Sequence, residues 1–276
     1  MKRELPRLAA LVQTALICLA ISALLLPACL IAQQPASPPP ANAQPPAQDA
    51  AAKAAATANE RAQHLRQMAE DFPWLGRYHD EDASLPAPAP GENRVVFIGD
   101  SITQFWWLNS PFGFPGKPYI NRGIAGQTAK QMVGRFSQDV VALKPKAVVI
   151  LAGANDIAGI TGPDTLPQIE DYLAAMAKMA AANHIGVVLC SVLPAYSYPW
   201  ALKAEPAARI VALNQWMSQY AAANHFVYVD VHSALKDDRG GMQANLSGDG
   251  VHPNRAAYAI MAPLIEAGIE KALAHP

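Results

Sequence analysis

Three residues of this chain could together activate a hydroxyl for acyl transfer: Ser101 in "RVVFIGDSIT", and Asp249 and His252, three apart in "LSGDGVHPN". A serine hydroxyl is a weak nucleophile at neutral pH. It needs a base within hydrogen-bond reach, and the base needs a carboxylate to orient it. The oxyanion that forms also needs donors fixed in advance. Ser101 is the candidate nucleophile, His252 the base and Asp249 the orienting carboxylate. The backbone N–H groups of Ser101 and Gly123 and the side-chain amide of Asn155 are the candidate oxyanion donors. Each residue taken alone has a plainer reading. Asp100 or Ser101 could cap a helix, Gly123 could serve a turn, and Asn155 and Asp156 could tie down a loop. Asp249 could support a turn, and His252-Pro253 could open the last helix.

The elements around these residues decide between the two readings. Continuous apolar runs at Val95–Ile98, Tyr119–Asn121, Ala147–Leu151, Gly186–Val192 and Phe226–Val231 predict buried strands. Segments with helical spacing lie between and after them, at Thr128–Leu143, Thr165–His184, Ala207–His225 and Asn254–Ala274. Strands that are apolar along their length, rather than alternating, have both faces covered. The pattern predicts an α/β fold, a parallel sheet with helices on both sides, and shows no internal repeat. In such a sheet ligands bind beyond the carboxyl ends of the strands. Ser101, Gly123 and Asn155 each follow a predicted strand, and Asp249 and His252 follow the fifth. The first turn is not G-x-S-x-G, because Thr103 stands at its last position, which argues against an α/β-hydrolase elbow.

From Arg94 to about Ala274 the chain resembles the SGNH hydrolases, the GDSL-type esterases and lipases. Four blocks carry the resemblance in order: "GDSIT" with Ser101, "NRGIAGQT" with Gly123, "GANDI" with Asn155, and "DGVHP" with Asp249 and His252. It implies a flavodoxin-like three-layer α/β/α sandwich on a five-stranded parallel sheet. It implies ester hydrolysis through an acyl-enzyme, with Ser101 attacking, His252 moving the proton and Asp249 orienting the ring. Ser101, Gly123 and Asn155 would bind the oxyanion. It implies no metal and no cofactor.

Aromatic residues cluster near the predicted strand ends. Trp106 and Trp107 follow Ser101, and Tyr196, Tyr198 and Trp200 lie in "LPAYSYPW". They are candidate substrate-lining residues, with loop and core packing as the other reading. With no long inserted lid, the site is expected to be shallow and to take short acyl groups. His184 and His225 end "Ala-Asn-His" stretches and read as helix C-terminal residues, with the preceding Asn in the left-handed conformation. His232 is a candidate for the edge of the site. Asp230 reads as structural, and Cys190 as packing.

The N-terminal part stands apart from this domain. Lys2, Arg3 and Arg7 precede a long apolar run, the pattern of an export signal. Residues 1–32 are therefore expected to be a signal peptide cleaved after Ala32, giving a periplasmic or secreted protein. Lipid attachment at Cys29, or an uncleaved membrane tether, are the alternatives. Residues 33–49, rich in Pro, Ala and Gln, predict a disordered linker. Residues 50–93 predict a helix and an extended lead-in, with Phe72, Trp74 and Tyr78 packing it on the domain of residues 94–276. Removing three basic residues and one acidic residue with 1–32 takes the net charge from −1 to about −3, which disfavours nucleic acid. Cys190 is left as the thiol of the mature domain, so its core must hold without disulfides.

The expected partner is a small-molecule or glycan ester, and export points to acetyl groups on carbohydrate. A lysophospholipase or thioesterase is the first alternative. An envelope-tethered binding module that has lost turnover is a second, disfavoured by the full set of catalytic residue types. A two-metal phosphoesterase is weaker still, because the matching blocks hold too few ligands.

Overall fold

The computed structural model describes residues 46–108, 110–111, 113–201 and 204–274. The chain divides into two compact units, Met1–Lys53 and Ala54–Pro276. Of the first, the described part is 46–53, the start of helix α1 (Pro46–Glu70). The predicted signal peptide or tether of 1–32, with Cys29, and linker residues 33–45 lie outside the described residues. Residues 46–49, expected in the disordered linker, are helical instead, since the Ala-rich segment that follows continues back through them. Among the described residues no helix is long and apolar enough to cross a membrane.

The second unit is built on five parallel strands: β1 (Val95–Gly99), β2 (Tyr119–Gly123), β3 (Ala147–Leu151), β4 (Gly186–Cys190) and β5 (Val227–Val229). Their order is β2-β1-β3-β4-β5. The β-branched runs of β1, β3 and β4 are buried throughout, as a sheet covered on both faces requires. Val96, Ile98, Val148 and Ile150 face one core, packed by α4 (Ala129–Asp139), α6 (Leu166–Ala182) and α7 (Pro206–Ala223). Val95, Phe97, Val149 and Val188 face the other, packed by α9 (Arg255–Ala274) and by Trp106, Phe114 and Tyr119. This is the three-layer α/β/α sandwich expected. The chain leaves β1 for β2 on one side and returns to β3 on the other. The crevice where strand order reverses therefore opens between the carboxyl ends of β1 and β3.

Several predicted boundaries move. β4 stops at Cys190 rather than Val192, and β5 is Val227–Val229 rather than Phe226–Val231. The predicted helix 128–143 breaks at Val140, whose backbone leaves the helical region, and resumes as a short 3₁₀ turn. At the ends of α6 and α7 it is His184 and His225 that are left-handed, with φ of 57° and 59°, not the asparagines before them. Asn183 and Asn224 instead donate from Nδ2 to the carbonyls of Met179 and Tyr220. Ile185 and Phe226 N–H close each helix by bonding back to Ala180 and Ala221.

The lead-in before β1, which includes the short helix α2 (His79–Ser84), is part of the compact unit. Tyr78 is buried as expected, while Phe72 stays exposed. Gln131 and Gln138 of α4 donate to the carbonyls of Phe72 and Leu75, holding the segment by its backbone.

Candidate active site

Gly99 ends β1 and Asp100 turns the chain into the one-turn helix α3 (Ser101–Gln104). Asp100 accepts the Ile102 N–H at 2.9 Å, the expected cap. Ser101 is thus the first residue of the helix, where a backbone N–H has no partner within the helix. Burial pushes the Asp100 carboxyl up to about 6.

Ser101 Oγ lies 2.9 Å from His252 Nε2, across 151 positions of sequence. His252 Nδ1 lies 2.7 Å from Asp249 Oδ2. A carboxylate only accepts, so Nδ1–H donates to Asp249 and, in the neutral ring, Nε2 is left to accept from the Ser101 hydroxyl. The other Asp249 oxygen, Oδ1, accepts from Val251 N–H at 2.9 Å, His252 N–H at 2.8 Å and the Ser247 hydroxyl at 3.1 Å. Partial burial works against the charge on Asp249. The hydrogen bonds from the His252 ring, the two backbone N–H groups and Ser247 outweigh it and hold the carboxyl below its ordinary range. The Asp-x-x-His spacing matters here, because one short loop supplies the carboxylate, its anchors and the ring it orients.

One of the three candidate oxyanion donors, the Gly123 N–H, is engaged within the fold. Gly123 N–H donates to the Asn121 side chain at 2.9 Å, and its carbonyl accepts from Tyr78 Oη at 2.5 Å. A Cβ on Gly123 would lie 2.2 Å from Gln104 N. Gly123 therefore lets β2 press against α3, and its N–H is already committed. In the turn that follows, the N–H groups of Ile124, Ala125 and Gln127 go to Gly99 O, Gln104 Oε1 and Ile124 O. Gly126, at φ 80°, has open space where a Cβ would stand, and no acceptor takes its N–H among the described residues. Asn155 Nδ2 donates to Gln127 O at 3.0 Å, which brings that amide beside the Gly126 turn. Gly126 replaces Gly123 as the candidate second donor. The sequence signal was the second glycine of "GIAG", a position that needs positive φ.

Asn155 itself lies in α5 (Ala154–Ala158), directly after β3. Its neighbour Asp156 accepts the Ala129 N–H with both oxygens at 2.9 Å and so caps α4, the plainer reading of that residue. Burial pushes the Asp156 carboxyl up to about 7.

A buried polar network behind the site was missed in the sequence. Arg135, with no exposed side-chain surface, donates to Gln127 Oε1 at 2.6 Å, Asp139 Oδ2 at 2.9 Å and Gly99 O at 3.3 Å. It thereby ties the end of β1 to the Gly126 turn. Gln127 Nε2 donates onward to Pro73 O at 2.8 Å. Arg122 pairs with Asp82 and lies over the Tyr78 ring, 4.6 Å from its centroid. Apart from the i,i+4 spacing of Arg135 and Asp139, nothing in the spacing of these residues marks them, since their other partners are backbone carbonyls and side chains distant in sequence.

The five candidate aromatics separate. Trp106 is 2% exposed and stacks on Tyr258, and Tyr198 is fully buried, so both belong to the core rather than to a substrate surface. Trp107, Tyr196 and Trp200 remain exposed. Trp200 stacks on Tyr198, and its ring centroid lies 5.7 Å from that of His252. Phe105, not anticipated, lies 6.3 Å from His252 and is 55% exposed. His232 opens the short helix α8 (His232–Leu235), with a buried ring and its N–H on Ser191 Oγ. Asp230 caps that helix by accepting from Ser233 N–H. Cys190 is buried in β4, and burial pushes its thiol up, as a packing residue. Among the described residues no three His, Cys, Asp or Glu side chains gather into a metal-binding cluster.

Residues 97–260 match the GDSL-like Lipase/Acylhydrolase family. The structure of a GDSL-like lipase from Bacteroides thetaiotaomicron superposes with a TM-score of 0.70 at 40% identity, covering 73% of this chain and all of that one. An acetylxylan esterase of Xylanibacter ruminicola is 26% identical over 70% of this chain, which spans about half (48%) of that protein's length. An acetylxylan esterase of Geobacillus stearothermophilus is 25% identical over 61% of this chain and 90% of its own.

Proposed function

The chain belongs to the GDSL-like lipase/acylhydrolase family of SGNH hydrolases, and from that premise we propose that it is a serine esterase that removes short acyl groups, acetyl first, from carbohydrate. The observation that carries the reading is the unbroken chain Ser101 Oγ, His252, Asp249, with steps of 2.9 and 2.7 Å.

In this reading Ser101 Oγ attacks the ester carbonyl as His252 Nε2 takes its proton. The tetrahedral oxyanion is held by the N–H groups of Ser101 and Gly126 and by Asn155 Nδ2. Collapse breaks the ester C–O bond, and His252 returns the proton to the departing alkoxide. A water, deprotonated by the same ring, then attacks the acyl carbonyl; the bond to Ser101 Oγ breaks, the carboxylic acid leaves and His252 returns the proton to Ser101 Oγ. Asp249 stays ionised and fixes the ring throughout, as its depressed pKa favours. Acetyl is supported by the two similar acetylxylan esterases. Export, through a cleaved signal, lipid at Cys29 or a retained tether, is proposed from the sequence of 1–32 and would put the enzyme beside polymeric carbohydrate.

The test is a series of p-nitrophenyl esters from acetyl to palmitoyl, followed by acetate release from acetylated xylo-oligosaccharides. Highest kcat/KM at acetyl, and acetate from the oligosaccharides, are expected. A steady rise towards palmitoyl would transfer the chain to a lipase-like reading.

A further inference from the structure

The two aromatic rings beside His252 have no part in the steps above. Phe105 is 55% exposed and Trp200 43% exposed, and their centroids lie 6.3 and 5.7 Å from the imidazole. One exposed ring would need no explanation, but two gathered beside a reacting group form apolar surface that a ligand can cover. The direction of proton transfer says which part of the ligand covers them. His252 Nε2 gives its proton to the oxygen that leaves, so the alcohol half of the ester must lie against His252. The carbonyl oxygen points away, towards Ser101 N–H and Asn155. Rings that flank the imidazole therefore meet the alcohol and not the acyl group.

We propose that Phe105 and Trp200 form the alcohol subsite, a clamp for the sugar ring that carries the ester. This rests on the esterase reading above. A pyranose presents faces of C–H groups bounded by hydroxyls, which suits a pair of exposed aromatic rings with polar surroundings. Trp200 is fixed for this purpose, stacked at 20° on the fully buried Tyr198. Phe105 is fixed by its place at the end of α3, its N–H bonded to Ser101 O at 2.9 Å. The nucleophile and one wall of the subsite thus move as one piece. Phe105 also lines a cavity of about 310 Å³, with Trp107, Pro111, Arg255 and Tyr258 among its other walls. That is the small end of the range for ligand sites, about 300–1,000 Å³. It suits a neighbouring sugar of the same chain.

The test separates the alcohol from the acyl group. One set holds acetyl constant and varies the alcohol: ethyl acetate, an acetylated methyl xyloside, an acetylated xylobiose. A second holds the alcohol constant and compares acetyl with butyryl. Phe105→Ala and Trp200→Ala should each lower the ratio of kcat/KM for acetylated xylobiose over ethyl acetate by about tenfold, mostly through KM. The acetyl-to-butyryl ratio should move less than about twofold. Phe105→Tyr and Trp200→Phe, which keep a ring, should recover most of the sugar preference. Equal loss on all alcohols, or a shift in acyl preference, would overturn the subsite. Wild-type hydrolysis of ethyl acetate without any preference for the sugar esters would also overturn it and leave the esterase reading standing. Failure of a fluorophosphonate to label Ser101 would remove both.

Discussion

At the scale of single residues, burial and hydrogen bonding set two carboxylates apart. Asp249 is held ionised by four donors, whereas Asp156 is raised to about 7 by burial although it caps α4. The consequence for stability has a definite sign. An unfolded aspartate titrates near 3.9. Between that pH and about 7 the native state keeps the Asp156 proton and the unfolded chain does not, so stability falls as pH rises through this window. Asp100, raised to about 6, acts in the same direction. Asp156→Asn keeps an oxygen for the Ala129 N–H and removes the titration. Unfolding free energies from urea titrations at pH 4.5 and 8 should show a smaller loss in the variant than in the wild type, with the difference amounting to a few kcal/mol at most. Equal losses would mean that Asp156 is ionised in the native state across the whole range. Of these residues, Ser101, His252 and Asp249 were legible as the types a serine esterase needs, and the structure places them within 2.9 and 2.7 Å of one another in turn; their catalytic role remains the proposal above. Asp156 was legible only as a cap. The second glycine of "GIAG" was visible in the sequence, but the engagement of the Gly123 N–H by Asn121 was not, and the choice of candidate donor turns on it.

At the scale of elements, the site depends on how closely α3 sits on β2. A Cβ at Gly123 would lie 2.2 Å from Gln104 N and 2.7 Å from the Thr103 carbonyl carbon, both backbone atoms of the helix that carries Ser101. Gly123→Ala should therefore shift α3, costing about 1–3 kcal/mol, and lower kcat with it. Gly126→Ala meets no neighbour but must adopt φ near 80°, at a cost of about 1–2 kcal/mol. Urea denaturation and kcat measured on both variants check this. An unperturbed Gly123→Ala enzyme would contradict the close packing described. Strand and helix positions were legible from apolar runs and helical spacing, and the sheet's parallel character followed from strands without alternation. Strand ends were less so, because apolar residues such as Val192 and Val231 continue past the last ladder bond into the loops.

At the scale of the whole molecule, the lead-in before β1 lies outside the family match of 97–260 yet is bound to the site. Gln127, Gln131 and Gln138 hold the carbonyls of Pro73, Phe72 and Leu75, Tyr78 holds Gly123 O, and Asp82 pairs with the buried Arg122. A chain starting at Asp71 keeps these bonds and one starting at Gly91 loses them. Removing Asp82 alone leaves Arg122 without that buried partner, a loss of about 3–5 kcal/mol. The shorter chain should thus show a lower urea midpoint and lower kcat than the longer one, and identical values would refute the role given to 72–82. The sequence hinted at this segment through Phe72, Trp74 and Tyr78, of which Tyr78 is buried and Phe72 is not; the bonds themselves were not legible, because side chains bonded to backbone carbonyls leave no pattern in residue types.

Covalent capture probes the proposed nucleophile, the Ser101 hydroxyl, without any assumption about the natural ester. Intact mass after treatment with a fluorophosphonate should show one adduct per chain. Peptide mapping should put it on Ser101, and Asp249→Asn should slow it strongly by disorienting His252. An adduct on another residue, or none on the folded protein, would rule out an activated Ser101: the hydroxyl at the end of β1 would then belong to the first residue of a helix and nothing more.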